Sequence, residues 1–356
     1  MKILALYLPQ YHCFKENDEW WGKGFTEWVN TKKAKPLYKK HYQPKEPLND
    51  NYYNLLDDDI KIKQAEMAKK YGIDGFVYYH YWFNGKRLME KPIEQMLKNK
   101  NINIDFCLSW ANEPWTRSWD GKSKQIIMPQ YYGDKKDWKN HFDYLLEFFK
   151  DDRYIKIDNK PVLFIYRVNS IDNYEELFEY WNSLAVENGF LGIYIVETLS
   201  KFQRKEVSDI SNAVFLFEPM YTQANEYNKV SRAINCMKKV IPSLKKGLRY
   251  LKTNDFDMIC KKIIKRKYKT NKDVMIGFFP SWDNTARRGK KASIIEGSTP
   301  HKFGYYLKKI IDNNNDFVII NAWNEWAEGA YLEPDKKNKY LYLEEIKKIK
   351  DNMKNE

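Results

Sequence analysis

Residues 55–87 read LLDDDIKIKQAEMAKKYGIDGFVYYHYWFNGKR, and the reading of this stretch decides the fold. Its first half has helical periodicity with a polar face, and its acidic start suits the positive end of a helix dipole. Gly72 stands where a helix C-cap is expected. GFVYYH, from Gly75, is a continuous apolar run, the pattern of a strand covered on both faces rather than half-exposed. The polar and aromatic segment YWFNGKR follows. Helix, tight turn, buried strand and polar loop make one unit of an alternating α/β fold.

The unit recurs along the chain. Apolar runs begin at Ile3 (ILALYL), Gly75, Ile104 (IDFCLSW), Val162 (VLFIY), Gly192 (GIYIV), Ala213 (AVFLF), Val274 (VMIGFF) and Phe317 (FVIIN). Between them, residues 91–100, 137–150 and 173–189 repeat the helical pattern, with Gly189 as a second C-cap. This alternation predicts a (β/α)8 TIM barrel with long loops at its C-terminal face. A doubly wound sheet is the alternative, but LPQYHCF stands after the first strand, where such a fold needs a Gly-rich phosphate loop. About 250 residues suffice for a barrel, so the surplus falls in loops at 13–56 and 220–273. With no repeat or linker, 1–356 reads as one domain carrying a basic helical insertion around 221–273.

The composition limits the function classes. With 43% hydrophobic residues the chain can bury a large core, which excludes extended disorder. Its 12 Trp and 27 Tyr supply flat faces with polar edges, suited to sugar rings as well as to packing. The net charge of +13 gathers in 229–272, including KKIIKRKYK at 261–269, and suits an anionic membrane surface or lipid-diphosphate groups. It comes with no nucleic-acid motif. Cys13, Cys107, Cys236 and Cys260 have neither metal-ligand nor disulfide-framework spacing, so reduced thiols, no metal and no cofactor are expected. The N-terminal apolar run meets Pro9 too early for a signal peptide, and no stretch is long enough to span a bilayer. A cytoplasmic protein, peripheral at the inner membrane face, is the expectation; the oligomeric state is not legible.

Barrel active sites form where strands end. The segments there are PQYH (Tyr11, His12), YWFNGKR (Tyr81, Trp82), ANEPWTRSWDG (Asn112, Glu113, Trp119, Asp120), ET, EPMY, PSWDNTARRG (Trp282, Asp283, Asn284, Arg287, Arg288) and AWNEWAEG (Trp323, Asn324, Trp326); His80 and Trp110 close their apolar runs, and Glu27 and Trp28 lie in WWGKGFTEW of the first long loop. Carboxylates, amides, arginines and tryptophans together point to an oligo- or polysaccharide. Within NAWNEWAEG, Glu325 and Glu328 are three apart, so a helical turn would set them about 5 to 6 Å apart on one face. Retaining glycosidases need about 5 to 5.5 Å. Asn112-Glu113 is a rival, since an Asn-Glu pair carries the acid/base in many retaining β-glycosidases; there it follows the fourth strand, here the third. Glu113 is therefore read first as a substrate-binding or pKa-tuning residue and second as a catalytic acid.

YLPQYH, WWGKGFTEW, YYHYWFNGKR, SWANEPWTRSWDG, WDNTARR and NAWNEWAEGAYLEPD together resemble the WbsX-type proteins of bacterial surface-polysaccharide (O-antigen and capsule) gene clusters. These are related to glycoside hydrolase family 99, the endo-α-mannosidases and endo-α-mannanases. The resemblance implies a (β/α)8 barrel and retention through a 1,2-anhydro sugar. It implies Glu325 as the base on the substrate 2-hydroxyl and Glu328 as the acid/base at the leaving oxygen. Those roles call for an ionised Glu325 and a protonated Glu328, with Trp323 and Trp326 as an apolar wall and Arg287 or Arg288 as the cation. An endo-acting hydrolase or transglycosidase on an α-linked mannose- or rhamnose-type glycan is expected. A glycosyltransferase of polysaccharide biosynthesis and a non-catalytic glycan-binding barrel are the alternatives.

Overall fold

In the computed structural model, which describes residues 1–117, 122–226, 252–313 and 316–355, the eight apolar runs are the eight parallel strands of a closed barrel. They are β1 (Lys2–Tyr7), β2 (Gly75–His80), β3 (Asp105–Trp110), β4 (Lys160–Ile165), β5 (Tyr194–Leu199), β6 (Ala213–Leu216), β7 (Asp273–Phe278) and β8 (Phe317–Ile320). Each strand pairs with its sequence neighbour, and β8 returns to β1 with Ile3 opposite Val318. Closure leaves no free edge, so every strand backbone finds partners on both sides.

Helices pack around the barrel, as continuous apolar strands require. The helix Asp58–Lys70 precedes β2; the acidic run is its start, and the Asp57 carboxylate accepts the Asp59 N–H at 3.0 Å. Gly72, with φ of 90°, reverses the chain just beyond that helix, and Gly189 does the same at φ 87° after Tyr174–Glu187. Lys135–Phe149 starts on Asp134, which accepts from the N–H groups of Lys136 and Asp137. Phe142, Leu145, Phe149, Leu177, Phe178 and Trp181 bury against the strands; each such side chain removed from water contributes about 1.5–3 kcal/mol.

Of the expected basic insertion, residues 227–251 lie outside the described residues. The remainder lies against the barrel, with its strand in a separate small sheet. Lys252–Asp255 pairs with Ser293–Glu296, and the helix Phe256–Lys265 turns Phe256, Ile259, Cys260 and Ile263 inward. Among the described residues no helix is long and apolar enough to cross a membrane.

Candidate active site

The turn after β8 forms the centre of the site. The Trp323 N–H donates to the Leu6 carbonyl at 2.8 Å, and the Asn324 side chain accepts from Leu8 N–H (2.8 Å) while donating to Leu8 O (3.0 Å). The ends of β8 and β1 are thereby joined. Asn324–Glu325 then pairs antiparallel with Ala330–Tyr331, which leaves residues 326–329 to reverse the chain. They do so by the 3-10 turn Trp326–Glu328, closed by Gly329 at φ 60°. The expected helical turn is therefore a tight hairpin, because the pairing on either side leaves no length for an α-helix.

One guanidinium gathers the carboxylates. Arg287 donates through Nη2 to Glu325 Oε2 (2.9 Å), through Nη1 to Glu328 Oε1 (2.7 Å) and through Nε to Glu27 Oε2 (3.2 Å). Arg287 ends the short helix Thr285–Arg288, which Asp283 anchors. That carboxylate accepts from Thr285 N–H (3.1 Å), His41 Nε2–H (2.8 Å) and Gln43 Nε2–H (2.6 Å). Burial works against ionised Asp283, but these donors hold its pKa below the ordinary value.

Three carboxylates around one cation cannot all ionise cheaply out of water. Burial pushes Glu325 up to about 8; Arg287 opposes this, and Glu328 and Glu27 add to it. Burial likewise raises Glu27, against the pull of Arg287. Burial disfavours the charge on Arg287 too, yet the three carboxylates keep its proton bound more firmly than usual. Trp323 and Trp326, expected as an apolar wall, have their indoles buried in the core. Burial of its own side chain, 8% exposed, is what raises the pKa of Glu325.

Glu325, Glu328 and Arg287 line a cavity of about 300 Å³ together with Tyr81, Glu113, Asn284 and Arg288 from the sequence-predicted set. Arg167 Nη1 lies 3.7 Å from Glu113; burial raises that carboxyl, and Arg167 and Lys201 counteract it. The other predicted residues stand behind this wall. Tyr11 packs on Trp28, ring centroids 4.6 Å apart, and Trp28 packs on Trp326 at 5.5 Å. Asn112 holds the loop after β4 through Arg167 N–H (2.8 Å) and Arg167 O (2.9 Å). His12 contacts Pro9 O at 2.9 Å, and burial lowers its pKa to about 4. His80 faces His141 at 2.8 Å between Nε2 atoms, while Trp82 stacks on His141 and Trp110 donates to Trp82 O. Glu27, Trp282, Asp283, Trp323 and Asn324 are buried framework. Trp119 and Asp120 lie outside the described residues.

Two strand-end carboxylates expected on the rim are engaged elsewhere. Glu197 lies within β5 and binds the loop at 203–211, and Glu218 accepts from Arg266 (2.8 Å) and Thr222. The cavity adds Gln10, Trp21, Trp115, Tyr166, Lys201 and Phe217, which the sequence reading did not single out. Tyr166 and Phe217 immediately follow β4 and β6, so the residue after each strand was the available signal.

A family model described as "Glycosyltransferase WbsX" matches residues 3–346. The chain belongs to the WbsX family. Within curated proteins it is 31% identical over 350 residues to the uncharacterized protein WxcX of Xanthomonas campestris pv. campestris strain B100, covering 96% of this chain and 48% of that one. The WxcX of strain ATCC 33913 is 32% identical over the same span. The chain thus spans about half the length of the curated relatives it matches. Among solved structures, a GH99 endo-alpha-mannosidase from Bacteroides thetaiotaomicron, bound to bis-tris-propane, superposes with a TM-score of 0.60 at 14% identity, covering 99% of this chain and 97% of that one. A glycoside hydrolase-like protein matches with TM-score 0.60, 14% identity and coverage of 98% and 93%. The likeness to these structures is one of fold.

Proposed function

We propose that this WbsX-family chain is an endo-acting, retaining glycoside hydrolase or transglycosidase on an α-linked mannose- or rhamnose-type bacterial surface polysaccharide. One observation carries the reading: Arg287 presents Glu325 and Glu328 together on the wall of one cavity. Glu325 takes the proton of the 2-hydroxyl, whose oxygen attacks the anomeric carbon. The glycosidic bond breaks as Glu328 protonates the leaving oxygen, leaving a 1,2-anhydro sugar. Glu328 then takes a proton from water or an acceptor hydroxyl, that oxygen opens the anhydro ring, and Glu325 returns the proton to O2. A base raised to about 8 suits the task, because a sugar hydroxyl is a far weaker acid than a carboxyl.

The carbohydrate is proposed to reach the site on a lipid diphosphate at an anionic membrane. Lys261 and Lys265 on the helix Phe256–Lys265, and Lys267 and Lys269 just beyond it, are exposed while the apolar face of that helix is buried, which supports this arrangement. Unchanged liposome association after charge reversal of these lysines would remove it. Family membership also favours a second reading, glycosyl transfer in the same cavity.

The deciding experiment incubates wild type and Glu328→Gln with α-linked mannose and rhamnose oligosaccharides in heavy-oxygen water, without nucleotide sugar, and reads products by mass spectrometry. Label at a new reducing end with wild type alone establishes the glycosidase. No cleavage, with turnover only on an added activated sugar, establishes transfer.

A further inference from the structure

We propose that Glu333, which touches neither cavity wall nor reacting atoms of the site above, is a positioning residue that sets the Glu325–Glu328 turn through the indole of Trp326. The inference rests on the roles proposed for that pair. Trp326 directly follows Glu325 and opens the turn that ends at Glu328. Its indole is stacked on Tyr331, centroids 3.9 Å apart and 15° between planes. Its backbone N–H donates to the Tyr11 hydroxyl at 3.2 Å, and that hydroxyl donates to Asn324 O at 2.5 Å. The remaining freedom is rotation of the indole edge, and Glu333 removes it.

The Glu333 carboxylate accepts from three segments: Trp326 Nε1–H (2.6 Å), Tyr53 O–H (2.8 Å) and Gln64 Nε2–H (2.7 Å). Gln64 is itself fixed by the Tyr7 hydroxyl at the end of β1 (2.6 Å). The catalytic turn, the loop after β1 and the helix Asp58–Lys70 thus meet on one acceptor. Glu333 borders a different cavity of about 540 Å³, with Tyr52, Tyr53, Gln64 and the back of Trp326. Buried donors left without an acceptor carry the full cost of their desolvation, so the indole must follow this group.

The test uses Glu333→Leu, which removes the acceptor, Trp326→Phe, which removes one donor and keeps the stack, and Glu333→Gln. In the last, an amide oxygen can still face Trp326 and Tyr53 while Gln64 rotates its own amide. Expected are losses of about 10- to 100-fold in kcat for E333L and W326F with KM within about threefold, the size of effect a misplacement of about 1 Å produces. E333Q is expected to recover most of the loss. The substrate-free readout is the Glu325 carboxyl titration by carbon-13 NMR: its midpoint should move by about half a unit or more in E333L and W326F, and not in E333Q. An unmoved midpoint in both E333L and W326F overturns the inference, whatever happens to stability. Equal impairment of E333Q and E333L also overturns it, since charge rather than geometry would then be acting. If the midpoint moves but no glycan is turned over by wild type, the positioning role stands and the proposed reaction fails.

Discussion

Arg287 governs what the two glutamates can do, and its contacts are the part of the site the sequence showed least. NEWAEG shows two carboxyls at a useful spacing; it does not show that a guanidinium from 38 residues upstream touches both. In the role proposed for it, Glu325 must be ionised to act as a base, so turnover should fall as pH drops through its pKa of about 8, an acid limb well above that of an ordinary carboxyl. Replacing Arg287 with Met removes the opposing cation, so the limb of kcat/KM should move up by about one unit or more, one unit being about 1.4 kcal/mol. A limb that stays in place in this variant would show that Arg287 does not tune Glu325. Glu328→Gln should lower turnover by about 10²-fold or more while leaving glycan binding measurable by calorimetry. Trp323 and Trp326 teach the opposite lesson: tryptophan beside glutamate reads as a sugar platform, yet both indoles pack inward.

At the scale of elements, the strands were legible because burial on both faces makes each a continuous apolar run, and each matched its run to within three residues. The turn after β8 was not, since a hairpin of Asn324–Glu325 with Ala330–Tyr331 is too short to leave a periodic signal. Gly329 is where this turn is most exposed to change. Its φ is 60°, and a Cβ there would lie 3.0 Å from the backbone N and O of Asp283. Gly329→Ala should cost about 1–3 kcal/mol in urea unfolding, through the left-handed backbone and the contact together. It should also lower kcat, because Asp283 anchors the helix that carries Arg287. A stable variant with full activity would show that the turn tolerates displacement.

For the molecule as a whole, buried titratable groups set opposing slopes of stability against pH. Glu333, pushed by burial to about 7, and Glu325, at about 8, hold protons more tightly folded than unfolded. Their contribution is complete below the unfolded carboxyl pKa and is lost as pH rises through those values. His12, His80 and His141 are lowered by burial, so their effect has the other sign and is exhausted above the unfolded histidine pKa of about 6.5. The urea midpoint should therefore decline between about pH 6.5 and 8.5, and Glu333→Gln should flatten the decline; equal slopes in both proteins would contradict the assignment. By itself the sequence determined the alternating strands and helices, the barrel they close into and the stretches that meet at its C-terminal face, because periodicity and strand burial are local and survive in one dimension. Only the tertiary structure decided which side chains line the cavity, that burial raises the Glu325 carboxyl, and that Arg287 and Glu333 bond to the turn from either side. Those properties depend on distance and desolvation among residues far apart in the chain, which no local pattern encodes.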